Sequence, residues 1–361
     1  MDNLCHTLAG VALARAGLGR RTALGTAALV IGANLPDVDV LTVFLGETTH
    51  LAFRRGWTHG ILATAVWPFV LTTALIGWDR WRRRRRPERA PVIPSALLLA
   101  SAIGVLSHPL LDLLNTYGVR LLMPFSGQWY YGDTLFIVDV WAWLLLGAGI
   151  AWSGRRLRRA HPRPSRPALV ALALLATYSA AMRLGTRLAE HAAGAALGER
   201  YGETPVSLLA SPVPLDPTRR LIVAQVGAGY RTGEVRLGRR PAWSPTREDP
   251  VPLGPWGTRA VQQAMATRDG SQFLDWARFP YVETQRVSGG TLVHFIDARY
   301  ADRPGVGFGA LTVSVPDQPP VLTALPGARR PLIAGAAPAP ARGSRRRDGG
   351  PRGWGGSRRP G

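Results

Sequence analysis

Six apolar runs alternate with clusters of arginine through the first half of the chain, and that alternation leaves few folds open. The runs are 7–19, 22–35, 61–78, 92–106, 140–152 and 168–182. The first two are shorter than the roughly 20 residues of a full helical span, so they read as a tilted or partly re-entrant hairpin. Run 140–152 is extended by Phe136-Ile137-Val138 and interrupted by Asp139. Arginine gathers at 20–21, 80–89 and 155–166. Arginine-rich loops mark the cytoplasmic face of a membrane protein, and one orientation satisfies all of these clusters. It places the N-terminus with His6, residues 36–59, 107–135 and everything after 184 on the outside.

Composition matters here mainly for what it removes. A formal charge of +21 would ordinarily raise nucleic acid as a partner. All 44 basic residues are arginine, beside 41 Gly and 30 Pro, which is a compositional bias of the whole chain. Much of the arginine lies in two loops and a tail, where membrane orientation accounts for it, so no nucleic-acid partner is expected. Cys5 is the one cysteine, which excludes an intrachain disulfide; it reads as a small buried apolar residue. Asp2 and His6 stand where a cleavable signal would carry positive charge, so none is expected.

The second half changes character. Leu221–Val226, Tyr281–Val287, Thr291–Ile296 and Leu311–Val315 read as strands, with Ser288-Gly289-Gly290 as a hairpin turn. Gln262 to Arg278 reads as one or two helices. The expected fold is mainly α: a polytopic helical membrane domain over 1–184 and a small α+β domain outside the membrane over 185–327. A tail rich in Arg, Gly and Pro over 328–361 is expected to be disordered.

Ionisable groups at the ends of apolar spans are functional suspects, because burying them in lipid is costly. His108 and Asp112 close the run at 92–106, inside the stretch SHPLLDLLNTYG. Four residues apart on a helix, they share a face and can reach one ion. Pro109 between them either kinks that helix or starts a new one, which would loosen the pair. His6, the segment Asn34-Leu-Pro-Asp-Val-Asp39 and the segment Arg55-Gly-Trp-Thr-His59 also sit at ends of apolar runs, on the same side. Pro36 would end its helix, and an extended x-Asp-x-Asp segment would turn Asp37 and Asp39 to one side.

His6, Asp37, Asp39, His59, His108 and Asp112 thus supply three imidazoles and three carboxylates. That donor set exceeds a three-ligand catalytic zinc site and suits one or two divalent ions. It fits zinc, with manganese or iron as alternatives, better than calcium or magnesium. The competing reading of each residue is plain: Asp37 and Asp39 as turn residues, His59 and His108 as hydrogen-bonding side chains between helices, Arg54 and Arg55 as headgroup snorkels. His50, His161, His191 and His294 have no partner at suggestive spacing.

The order NLPDVD, RGWTH, SHPLLDLLNTYG after an N-terminal His-Thr resembles the LexA-regulated, inner-membrane, metal-dependent hydrolase family of bacteria. The match covers about residues 1–145, with Gly132-Asp133 and Phe136-Ile-Val-Asp139 falling where that family also carries acidic residues. Phe279-Pro-Tyr281 and Asp297-Ala-Arg-Tyr300 resemble its C-terminal domain more weakly. The resemblance implies a bacterial inner-membrane hydrolase with His6, Asp37, Asp39, His59, His108 and Asp112 as ligands, and it does not supply a substrate.

The expected function is metal-assisted hydrolysis at the outer membrane–water boundary, acting on an amphiphilic substrate such as a lipid ester or phosphoester, with membrane lipids as partners. Asp133 or Asp139 could orient a ligand imidazole or accept a proton. Arg54 or Arg55 could stabilise charge on a phosphoryl or acyl oxygen. Two rivals stand beside it. A metal or proton transporter would spread its ligands through the membrane depth. A non-catalytic scaffold would use the cluster only to hold helices together.

Overall fold

The computed structural model describes residues 1–300 and 309–317, and the described residues form one compact unit. The tail at 328–361 lies outside them. The chain begins with helix α1 (Asn3–Arg15), capped by Asp2, whose carboxylate accepts from the backbone N–H of Leu4 and Cys5. Helix α2 (Gly25–Gly32) follows, then a 3-10 helix over Leu35–Leu45 bent 43° from it, then the short α3 (Glu47–Phe53). Helices α4 (Ile61–Arg85), α5 (Pro94–Leu113), α6 (Val140–Arg158) and α7 (Arg166–Tyr201) complete the helical part.

Among the described residues, α4, α5 and α7 are long and apolar enough to cross a membrane, and the bent pair after α1 adds a fourth if it forms one span. Helices α4 and α6 end in Arg82–Arg85 and in Arg155, Arg156 and Arg158, cations that complement the negative C-terminal end of a helix dipole. The arginine-rich segments meet at one end of the bundle. Arg20 donates to the Ser165 hydroxyl (2.5 Å), and the Ile93 N–H donates to the Thr22 hydroxyl (2.6 Å).

Close helix approach explains the other end. A Cβ on Gly10 would lie 2.9 Å from the Leu29 carbonyl oxygen, and one on Gly104 would lie 2.8 Å from the same atom. Small residues of this kind let α1, α2 and α5 pack backbone to backbone, the usual way helices associate without a hydrophobic driving force. His6 stands one turn before Gly10 and His108 one turn after Gly104, so the tight contact fixes both imidazoles beside the end of α2.

The segment NLPDVD differs from its expected extended form. Leu35–Leu45 is helical, with Pro36 in its first turn, where a missing N–H costs nothing. Three residues per turn separate successive side chains by about 120°, so Asp37 and Asp39 cannot share one side.

After α7 come two antiparallel sheets. The first has the order β1 (Ser207–Pro212), β2 (Arg219–Val226), β3 (Gly229–Arg236) and β4 (Ala242–Pro245), with β5 (Val251–Pro252) also paired to β3. The second is β6 (Pro280–Val287), β7 (Gly290–Asp297) and β8 (Ala310–Pro316). Helices α8 (Arg259–Ala266) and α9 (Arg268–Trp276) cover the second sheet, burying Val261, Ala264, Phe273 and Trp276 against Val282, Val293, Phe295 and Val315. The strands expected at 221–226, 281–287, 291–296 and 311–315 all lie within these elements.

Helix α7 passes without a break through residue 184, the expected end of the membrane domain. Its first half packs Leu175 and Met182 against α1 and α6; its second half packs Ala189 and Ala193 against Ala210, Ile222 and Val235 of the first sheet. The loop after α5 is also held by the strand region. Trp276 Nε1 donates to the Tyr117 carbonyl (3.1 Å) and Arg299 Nη1 to the Thr116 carbonyl (2.7 Å).

Candidate metal centre

Four of the six expected ligands converge. Asp37, His59, His108 and Asp112 are buried, and each offers one donor atom within 4.8 Å of the others. The Nε2 atoms of His59 and His108 are 3.0 Å apart. Asp112 Oδ2 lies 3.3 Å from His59 Nε2 and 3.5 Å from His108 Nε2, and Asp37 Oδ1 lies 3.7 Å from each ring nitrogen. Donors bound at about 2.0–2.2 Å in a tetrahedron stand about 3.3–3.6 Å apart, which is the scale of these separations.

The protonation pattern makes the convergence chemical. His108 Nδ1 donates to the Ala33 carbonyl (2.6 Å), so a neutral ring presents a bare Nε2. His59 Nδ1 faces the Thr58 hydroxyl (2.9 Å) and Asp39 Oδ2 (3.4 Å), which assigns its proton to that side too. Burial pushes the His59 imidazole below its usual pKa, with nearby Asp112 opposing, and so favours the neutral form that ligates. Among the described residues neither Asp37 Oδ1 nor Asp112 Oδ2 has a hydrogen-bond donor. Two bare imidazole nitrogens and two undonated carboxylate oxygens in one buried volume make an electron-rich pocket suited to a cation. The residues present therefore fit a divalent ion.

His6 and Asp39 stand beside this group. His6 Nε2 is 3.2 Å from the other oxygen of Asp112, and its ring stacks on His108 with centroids 3.8 Å apart. Asp39, turned away by the 3-10 helix, accepts from the Arg55 N–H (2.7 Å) and from Arg54 Nη1 (3.1 Å). It holds His59 from behind, the position from which a carboxylate fixes a ligand ring and raises its basicity. The helix over Pro94–Leu113 runs through Pro109 without ending, so the His108–Asp112 pair keeps its i, i+4 geometry.

The arginines bind protein carboxylates. Arg55 is buried; its Nη2 lies 3.3 Å from Asp112 Oδ1, its Nη1 donates to Asn115 Oδ1 (3.0 Å), and its guanidinium sits over the Tyr117 ring. Arg54 reaches Asp37 Oδ1 at 3.7 Å as well as Asp39 and remains 19% exposed, so it forms the rim. The amino group of Met1 also contacts Asp112. Asp133 pairs with Arg278 through both oxygens at 2.9 Å, and Asp139 caps α6 by accepting from the Ala142 N–H (2.9 Å) and from the Tyr178 hydroxyl (3.1 Å). These two carboxylates are thus engaged away from the four-donor group.

Sequence reasoning missed Thr58, Asn115 and the Ala33 carbonyl. The first two lie inside RGWTH and SHPLLDLLNTYG, where a polar residue beside each ligand was the available signal. A backbone carbonyl leaves no such trace.

A cavity of about 600 Å³, lined mostly by apolar side chains, reaches His59 of the centre. It lies between α4 and α5, and His59 is at its polar end.

The family model described as YdjM inner membrane protein matches residues 1–188, a stretch that holds all six expected ligands. An uncharacterised protein of Bacillus subtilis (strain 168), YfhP, is 25% identical over 141 residues, 36% of this chain. The match spans 39% of that relative's own length. No solved structure matches. With more than half of its 361 residues under that family model, and with helices suited to a bilayer, the chain belongs to the YdjM inner membrane protein family.

Proposed function

We propose that this protein is a metal-dependent hydrolase of the inner membrane that acts on an amphiphilic ester or phosphoester at the extracytoplasmic membrane–water boundary. The observation that carries the reading is the pair of buried, undonated oxygens, Asp37 Oδ1 and Asp112 Oδ2, facing two bare imidazole nitrogens. The mixed nitrogen and oxygen donor set favours zinc over calcium or magnesium, with manganese and iron as the nearest alternatives. A divalent ion held there supplies Lewis-acid chemistry, polarising an ester oxygen and acidifying water.

The chain's own residues divide the remaining work. Asp37, His59, His108 and Asp112 hold the ion; Asp39, Thr58 and the Ala33 carbonyl hold the two rings in their ligating tautomers. Arg55 pairs with Asp112 and holds it in place. Arg54, at the rim, is placed to meet an anionic headgroup. Asp133 and Asp139 receive no step, since each has other partners. Ligands gathered at one end of the helices suit an enzyme better than a transporter, whose sites follow the membrane depth.

Detergent-purified protein is expected to turn over at least one member of a panel of lipid esters and phosphoesters. Turnover should stop on chelation, return with the metal and be absent in Asp37→Asn. Full metal content with no turnover across the panel would instead leave a structural ion, as four-donor sites often are.

Orientation follows from the arginine clusters, which belong on the cytoplasmic side. Cys5 is buried, so single cysteines placed elsewhere can be read without background. An impermeant maleimide added to spheroplasts should label Phe125→Cys and leave Arg159→Cys untouched until the membrane is opened. The reverse pattern would put the site on the cytoplasmic face.

A further inference from the structure

The groove between α4 and α5 has a composition that sets it apart from an ordinary polar active-site cleft. Ile61, Ala65, Pro68 and Phe69 form one wall, and Leu98, Ala102, Leu106 and Leu110 the other. Among the groove's lining residues His59 and Thr64 are the polar ones, and both lie at the end next to the centre. None of its lining residues is an arginine or a carboxylate. From Ile61 to Phe69 it follows α4 for about 12 Å into the span.

Its upper end is built by a close backbone contact. The Ile61 N–H donates to the Leu121 carbonyl (2.8 Å), and a Cβ on Gly60 would lie 2.3 Å from the Met123 carbonyl oxygen. Only glycine lets the 119–125 loop sit this tightly on the start of α4, and that seating brings Leu121 and Leu122 over the groove as a roof. The groove is therefore closed above by apolar side chains, open sideways through exposed Phe69 and Leu110, and terminated by a candidate ligand.

We infer that this groove seats a single hydrocarbon chain of a membrane lipid, entering sideways from the bilayer, while its polar end lies against His59 and the rim arginine. The inference rests on the proposed hydrolase and adds how its substrate is recognised: by one acyl or isoprenoid tail lying between two spans. In lipid the driving force is not hydrophobic transfer, because the tail leaves an equally apolar surrounding. Recognition comes from packing against fixed walls, so the groove selects by shape and by the distance from His59 to its lower end at Phe69 and Leu98.

Detergent-purified, delipidated protein titrated with a photoactivatable palmitate analogue, its diazirine near the methyl end, tests this without any turnover. Saturable labelling is expected on peptides of α4 and α5. Ala65→Trp and Ala102→Trp, which fill the groove, should each reduce it about tenfold or more. Leu184→Trp, on the exposed face of α7, should not change it. Metal content measured on the same samples should match wild type in all three variants. Labelling that never saturates and spreads equally over α7, or that survives both groove-filling changes, overturns the inference. Saturable groove labelling in a protein that hydrolyses nothing would overturn the hydrolase and leave the tail seat standing.

Discussion

His108→Ala should bring the metal content of purified protein from about one ion per chain to near zero by elemental analysis, because it removes one of four converging donors. A bound ion present at a hundred times its dissociation constant stabilises the fold by about 2.7 kcal/mol. A chelator should therefore lower the melting temperature of wild type and leave that of His108→Ala where it is. Metal content unchanged in His108→Ala would remove the centre altogether. Asp39→Asn gives the graded counterpart: the donors stay, but His59 loses the carboxylate behind it, and affinity should fall by about 10- to 100-fold. Asp112 behaves differently from both. Its removal leaves the buried Arg55 guanidinium and the Met1 amino group without their counter-ion, a loss of about 3–5 kcal/mol that should appear as poor folding. Asp112→Asn keeps the shape and is the more informative variant.

Gly104→Val should be as damaging to the centre while touching no ligand. Its new Cβ would fall 2.8 Å from the Leu29 carbonyl oxygen and 3.1 Å from the Ala28 carbonyl oxygen, and backbone cannot swing aside as a side chain can. Overpacking of this kind costs about 1–3 kcal/mol even where some relief is possible. Relief here means moving α5 away from α2, which would break the His108–Ala33 hydrogen bond that sets the tautomer. The expected result is a folded but less stable protein with metal content well below wild type. Gly147→Val, at a position with open space around it, is the control and should keep both. Wild-type metal binding in Gly104→Val would show that helix spacing does not set the site.

The sequence made the helices legible because lipid-facing spans must be uniformly apolar and their cytoplasmic ends basic. It made the ligands legible because His and Asp are conspicuous at the ends of such spans. Local conformation was harder to see. Pro36 suggested a stop, yet proline in a first helical turn is equally acceptable, and the segment continued as a 3-10 helix. That single difference separates Asp37, which faces the rings, from Asp39, which stands behind one of them. Arg54 and Arg55 read as headgroup snorkels or as an anion clamp; their pairing with Asp39 and Asp112 depends on tertiary placement that spacing does not encode. Strand β3 went unseen for a related reason. Gly229, Arg231, Gly233 and Glu234 disguise its alternation, although Arg231 is mostly buried and pairs with Glu203. The clamp of Trp276 and Arg299 on the loop after α5 joins residues more than 150 positions apart, a distance over which no local pattern operates.

The 36 residues of α7 make a rod about 54 Å long, against about 30 Å of hydrocarbon to cross. Roughly 24 Å must then project as a mast, and the first sheet is bolted along that projecting part through Ala189 and Ala193. The strand region, clamped by Trp276 and Arg299 to the loop after α5, is thereby fixed beside the ligand end of the helices. Under the proposed function, a lipid diffusing in the plane of the membrane would reach the centre through the groove between α4 and α5 without having to pass that region.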